Sequence, residues 1–403
     1  MMQFAYKGEE LCLQDASSTW RLSEFCKNKD QAFYLYHLEH FKQRAAFYRA
    51  CLSAKDRVHF AMKANSHPRV LKAAREAGLG LDLVSGGELE KAFAAGFAPD
   101  QVIFSGVGKS SADLKAALKE PISQINVESP MELERIAGIA KEMNRTARVA
   151  FRYNPNVSAD THPYIRTGFK ENKFGMDESF LPELTRILQK HPKHLKLVGL
   201  SLHIGSQILN VDSLVEAVEK TLPVFNYFKG LGQPLESFDV GGGVGISYEK
   251  DEDQKEYDRV KEFFRRVHPL LDPLGVRVFC EPGRFLIARA GMLFTQVEYV
   301  KRTPYKNFVI VNTGMHHLMR PSLYKAYHRI LPLHQPVAGA SPFLCDVVGP
   351  VCESSDVLGY DRSLPRLNSG DWLVVLDVGA YGAVMASDYN SFPRPPEFFI
   401  EPS

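Results

Sequence analysis

Short apolar runs recur through the middle of the chain, and each is followed by a segment whose apolar residues repeat at helical spacing. The runs are His59–Met62, Leu81–Val84, Val102–Ser105, Gln124–Val127, Arg148–Tyr153, Leu197–His203, Phe238–Val240 and Val276–Glu281. Near-continuous apolar runs between helical segments read as strands buried on both faces of a parallel sheet. One helix start is explicit at Ser129-Pro130-Met131-Glu132. There Ser129 can cap, Pro130 suits the first turn and Glu132 can close a capping box. Eight β/α units in series predict an α/β fold, a (β/α)8 barrel of the triosephosphate isomerase type.

After Arg284 the alternation stops. Strand-like runs follow at Met292–Val300, Phe308–Asn312, Phe343–Val348 and Trp372–Val378, punctuated by turn residues such as Asn368-Ser369-Gly370-Asp371. They predict a second, C-terminal β-rich domain. The run Ala32–Tyr36 would be a ninth barrel strand, so it is assigned to that second domain. The expected division is a barrel over 38–284 and a β-rich domain from 1–37 and 285–403.

Composition agrees with two domains, because 403 residues exceed one ordinary core. Hydrophobic content of 45% and charged content of 24% are those of a soluble globular protein. A formal net charge of +2 gives no argument for nucleic acid or a membrane surface as partner. No apolar run approaches the roughly 18 residues of a membrane-spanning helix. The start MMQFAYKGEELCLQD lacks the apolar stretch of a signal peptide, so a cytoplasmic location is expected. The six cysteines form no CxxC pair and no zinc spacing; no metal is expected, and most should be small buried apolar residues.

Candidate chemistry starts at Lys63, which ends the first strand in Val58-His59-Phe60-Ala61-Met62-Lys63-Ala64-Asn65. An amine pinned there is poorly hydrated, and a lysine freed of its proton forms Schiff bases, most commonly with pyridoxal phosphate. A surface lysine just past a strand is the plainer reading of these eight residues alone. Other strand ends shift the balance, since barrel chemistry sits at the carboxyl ends of the strands. Asp82 and Ser85 lie at strand two, and His203, Gly205 and Ser206 end strand six. Gly241-Gly242-Gly243 follows strand seven, where backbone N–H groups can meet a phosphate. Glu281-Pro282-Gly283-Arg284 ends strand eight. A carboxylate at Glu281 needs a cation, either a pyridinium nitrogen or a neighbouring arginine. His203 fits a ring-stacking role or a hydrogen-bonded structural one. Arg320, Tyr324, Glu353 and Tyr381 would each pass as loop residues, but Cys352 beside Glu353 is a thiol able to donate a proton near neutral pH.

The segments FAMKAN, LDLVSGGELE, THPYIRTGFKENKFGM, LHIGSQI, DVGGGVGISY, CEPGRFL, MRPSLYKAYH, GPVCESSD and GAYGAVMASDYNS occur in that order. Through them the chain resembles the diaminopimelate decarboxylases, fold-type III pyridoxal-phosphate enzymes, over nearly its whole length. The resemblance implies decarboxylation of meso-2,6-diaminopimelate to L-lysine, the last step of lysine biosynthesis by that route. It implies pyridoxal 5'-phosphate on Lys63, His203 stacked on the ring and Glu281 at the ring nitrogen. Ser206, Gly242, Gly243, Pro282, Gly283, Arg284 and Tyr381 would surround the cofactor. Arg284, Arg320, Tyr324, Glu353 and Tyr381 would hold substrate. Cys352 would deliver a proton from the other subunit of a head-to-tail homodimer.

Three residues depart from the family pattern. Arg166 stands where a small residue is usual, Asp388 where asparagine is common, and Phe392 where arginine is common. Ornithine and arginine decarboxylases share the architecture and differ at the distal substrate site. In alanine racemase an arginine faces the ring nitrogen, and Glu281 argues against that reading. A cofactor carrier made of one barrel would not need the residues after Arg284.

Overall fold

The computed structural model describes residues 2–157, 173–335 and 342–401. Arg166 and most of the THPYIRTGFKENKFGM segment lie outside them. Two compact units are present: Arg44–Ile246 with Gln254–Phe285, and Met1–Gln43 with Ser247–Asp253 and Leu286–Ser403.

The first unit is a closed barrel of eight parallel strands, Arg57–Ala61, Gly80–Leu83, Val102–Phe104, Gln124–Val127, Ala147–Tyr153, Leu195–Leu202, Ser237–Asp239 and Arg277–Cys280. The last strand closes on the first, Phe279 beside Arg57 and Cys280 beside Val58. Four of the eight strands are buried along their whole length and the other four at all but one position, which is why they read as largely apolar runs. The helix over Pro130–Glu142 begins as expected, Glu132 N–H donating to Ser129 Oγ and Pro130 in the first turn. The capping box does not close. Glu132 instead accepts from Glu128 N–H at 2.7 Å and from the buried Lys109 ammonium at 2.8 Å.

The second unit is built on Gly291–Arg302. Its first half pairs antiparallel with Phe33–Tyr36 on one side and Trp372–Val375 on the other, and its second half pairs with Asn307–Val311. The N-terminal strand is therefore part of this β-rich unit. Beyond Asn307–Val311 the sheet continues through Phe343–Val348 to Val357–Leu364, and Ile330–Pro332 edges it at the other end. Val357–Leu364, Ile330–Pro332, Glu397–Phe399 and the small sheet of Gln3–Lys7, Glu10–Gln14 and Thr19–Arg21 were not expected from the sequence. The strand expected over Trp372–Val378 stops at Val375, and Asp377 turns left-handed at φ 61°. No helix among the described residues is long and apolar enough to cross a membrane.

Inside the barrel unit, Arg44 and Glu256 form an ion pair at 2.8 Å with both side chains wholly buried. The guanidinium also lies 3.9 Å from the centre of the Phe285 ring. A buried pair adds little net stability, but removing one member strands the other charge. Glu256→Ala is expected to destabilise the barrel by about 3–5 kcal/mol. Denaturant titration followed by circular dichroism measures this, and an unchanged midpoint would show that Arg44 finds water or another partner.

Candidate active site

The first barrel strand ends at Ala61, and a single 3-10 turn over Met62–Ala64 turns Lys63 to the carboxyl end of the barrel. The Lys63 ammonium donates to Asp82 Oδ2 at 2.9 Å; Asp82 is fully buried on the second strand, while Lys63 is about one third exposed, 36%. It lines a cavity of about 180 Å³ with Ser105, Asn126, Arg152, His203 and Glu281 among its neighbours. Lys63, His203 and Glu281, predicted from separate strand ends, thus meet in one cavity.

Glu281 is buried and accepts from Asn126 Nδ2 at 3.3 Å. Burial pushes its carboxyl well above the ordinary range, and the carboxyls of Asp239 and Asp82 push in the same direction. Asp239, buried on strand seven, is raised to about 7, chiefly by burial. Asp82 Oδ1 has no hydrogen-bond partner among the described residues. Three carboxyls therefore converge with Lys63, and the cluster is short of positive charge. His203 is held neutral by burial, with Arg152 and Lys63 adding to the effect. Its Nδ1 accepts from Gly242 N–H at 3.2 Å.

The glycine triplet is sterically obligatory. A Cβ on Gly241 would lie 2.2 Å from Leu202 O, one on Gly242 2.3 Å from Glu281 O, and one on Gly243 2.6 Å from Gly205 O. Gly241 and Gly243 also adopt positive φ, 68° and 112°. The expectation that the triplet offers its N–H groups to a phosphate needs correction. Gly241 N–H is spent on Asp239 Oδ1 and Gly242 N–H on His203, which leaves Gly243 N–H without an acceptor among the described residues. Arg284 is buried and donates to Ser206 Oγ at 3.1 Å. Gly283 lets strand eight approach strand one, since a Cβ there would lie 3.1 Å from those of Ala61 and Ala64. Pro282 O accepts from Ala61 N–H.

In the β-rich unit, Arg320 and Tyr324 open and close a short helix. Arg320 is buried, hydrogen-bonds His328 Nε2 at 2.7 Å and lies 4.5 Å over the Tyr248 ring. The loop carrying Cys352 and Glu353 is shaped by Asp356, whose carboxylate accepts from Val351 N–H at 2.7 Å and also from Met315 N–H. Cys352 is exposed, whereas four of the other five cysteines are buried. Tyr381 sits at φ 57° in the Gly379–Gly382 turn.

Sequence reasoning missed Asn126, Asp239 and the Arg152–Glu128 ion pair at 2.7 Å. The available signal was a polar residue inside an otherwise buried run, as in Gln124–Val127 and Ser237–Asp239.

The cluster suits a group bringing a cationic ring nitrogen to Glu281 and an anionic end to Arg284, Ser206 and Gly243. An amine-reactive carbon would belong at Lys63. Pyridoxal 5'-phosphate has this pattern, and the residues fit it. Comparison with known proteins agrees, since residues 38–288 match the pyridoxal-binding domain of the pyridoxal-dependent decarboxylases. Diaminopimelate decarboxylase of Helicobacter pylori strain J99 is 44% identical over 92% of this chain and 90% of its own length. That of Aquifex aeolicus is 36% identical over 98% of this chain and 92% of its own. The crystal structure of the H. pylori enzyme complexed with L-lysine matches with a TM-score of 0.87, at 42% identity over 94% of both chains. A Chlorella virus arginine decarboxylase shares the fold, TM-score 0.84, at 21% identity. The chain is a pyridoxal-dependent decarboxylase of the barrel type. Within that class it belongs to the diaminopimelate decarboxylase family.

The raised carboxyl of Asp239 has a consequence for cofactor-free protein. The unfolded chain releases this proton near pH 4, whereas the folded chain holds it to about 7, so stability falls as pH rises through that window. Asp239→Asn keeps the acceptor for Gly241 and removes the titration. Its thermal midpoint should fall less between pH 5 and pH 8 than that of the parent protein. Equal falls would show that Asp239 is not the titrating group.

Proposed function

We propose that the chain decarboxylates meso-2,6-diaminopimelate to L-lysine and carbon dioxide, the closing step of lysine biosynthesis, as a cytoplasmic homodimer. The observation that carries the chemistry is the ion-paired Lys63 in one cavity with Glu281, whose carboxyl the buried Asp239 and Asp82 push up further. Bound pyridoxal phosphate supplies the electron sink for the pair released when the carbon–carboxylate bond breaks.

The chain's own residues do the rest. Lys63 provides the amine that anchors the cofactor, and Asp82 aims it. Glu281, steadied by Asn126, holds a proton at the ring-nitrogen position, and Asp239 adds negative potential there. Neutral His203 lines the cavity without competing for that proton. Arg284, Ser206 and Gly243 form the anion-binding corner, and Tyr381 belongs to the same cofactor shell. Cys352 delivers the proton that replaces carbon dioxide.

Diaminopimelate differs from lysine and ornithine at its far end, which carries a carboxylate beside the amine. Arg320 offers a planar fork for that carboxylate and Glu353 an anion for the amine. Tyr324 completes this reading of the distal site. Cys352 and Glu353 are both exposed on the β-rich unit. Exposure of a proton donor and its neighbour suits a site completed by a second subunit.

Purified enzyme should release carbon dioxide from meso-diaminopimelate and far less from ornithine or lysine, and borohydride trapping followed by peptide mapping should label Lys63. Preference for ornithine would refute the substrate, and a label on Lys109 or Lys173 would refute the anchor. For the shared site, mixing inactive Lys63→Ala and Cys352→Ala chains should restore part of the activity through heterodimers. No recovery where subunit exchange is demonstrated would count against it.

A further inference from the structure

Tyr389 follows Asp388, one of the positions that departs from the family pattern. Its hydroxyl donates to Glu353 Oε1 at 2.8 Å. Both residues are exposed in this chain, so the contact is not a by-product of core packing. Glu353 in turn holds the phenol above its ordinary range, which keeps Tyr389 a donor through neutral pH.

The backbone around Tyr389 is held in an unusual shape. Asn390 and Ser391, at φ 54° and 62°, are consecutive non-glycine residues in the left-handed region. Such residues persist where their surroundings over-determine them, and they cluster at functional sites. Here the segment is pinned on both sides. Ser387 N–H donates to His316 O at 2.8 Å, and the Phe392 ring lies 4.7 Å from the His316 ring. His317 Nε2 donates to Pro393 O at 2.9 Å, a tautomer that lets its Nδ1 accept from Thr313 at 2.8 Å. Phe392, where the family commonly has arginine, thus serves as an anchor against His316.

The other end of the contact is equally fixed. Glu353 N–H donates to Val351 O at 2.7 Å, and Asp356 N–H donates to Glu353 O at 3.0 Å. Two braced loops therefore meet in one side-chain hydrogen bond. A glutamate side chain left alone would sample several rotamers; this bond selects one and leaves Oε2 open.

We propose that Tyr389 is a positioning residue of the substrate site, whose hydroxyl fixes the Glu353 carboxylate in the orientation that receives the substrate's far ammonium. The proposal rests on the reading of Glu353 given above. It assigns Tyr389 to specificity, acting through Glu353 and not on the reacting carbon.

The test compares holoenzyme variants Tyr389→Phe and Glu353→Gln with the parent chain. The ligands are meso-diaminopimelate and 2-aminoheptanedioate, which keeps a far carboxylate and lacks the far amine. The quantity read is the ratio of the inhibition constant of 2-aminoheptanedioate to KM for diaminopimelate. Tyr389→Phe should lower this ratio about tenfold, the scale of one hydrogen bond to a charged group, through KM more than kcat. Glu353→Gln should lower it at least as far. A ratio unchanged in Tyr389→Phe but collapsed in Glu353→Gln would overturn the positioning role alone. A ratio unchanged in Glu353→Gln would overturn the reading of Glu353 and the proposal with it. Loss of discrimination in Tyr389→Phe at an unaltered thermal midpoint separates positioning from a general loss of structure.

Discussion

The barrel site depends on a buried shortage of positive charge. Asp82, Asp239 and Glu281 bring three carboxyls behind a closed wall of strands, and the Lys63 ammonium donates to Asp82 at 2.9 Å. The nearby Arg152 is engaged by Glu128. Unpaired carboxylates away from water are costly, so the cluster must keep protons or take up a cation. Burial raises Asp239 to about 7 and holds the Glu281 carboxyl well above its ordinary range, so both favour the protonated form. A ligand that brings a protonated ring nitrogen relieves this state, and whatever binds the folded form preferentially stabilises it. Cofactor affinity and barrel stability are therefore two readings of one electrostatic arrangement.

How much of this the sequence disclosed follows from which signals are local. The barrel strands were legible to within about two residues because burial on both faces writes a largely apolar run, and even the half-polar Gln124–Val127 agrees at both ends. The β-rich unit was legible in part. Val357–Leu364 escaped because Gly359, Asp361 and Arg362 interrupt it. Gly359 is there so that the Arg362 guanidinium can fold back, since a Cβ would lie 2.3 Å from Arg362 Nε. That guanidinium covers the Tyr327 ring at 3.7 Å, a contact with no counterpart in an alternating strand pattern. Pro332 hid the short edge strand for a similar reason, since proline argues against a ladder position.

In the candidate site, the residues themselves were easier to find than their partners. Lys63 stands out at a strand end, but its pairing with Asp82 is fixed by the neighbouring strand. Asn126 meets Glu281 across 155 positions of sequence, which only barrel closure brings together. The glycine triplet was visible, and its main duty was not. It was read as a row of phosphate donors, yet two of its three N–H groups orient Asp239 and His203. Steric demand and hydrogen-bond supply select the same residue type, and sequence alone does not separate them.

The same cluster bears on which reaction the fold supports. A racemase of this architecture faces the ring nitrogen with arginine, which disfavours a second positive charge and leaves the ring a weak sink. A carboxyl in that place, the role proposed for Glu281, would reverse that preference. A single carboxyl and a pyridine nitrogen could share one proton in either direction, because both have moderate basicity. Asp239 and Asp82 push the Glu281 carboxyl up further, which strengthens the cluster's demand for a cation. A cation held at Glu281 would lie near three acidic side chains, which would stabilise its charge at short range and low effective dielectric. Strong electron withdrawal is what loss of carbon dioxide requires.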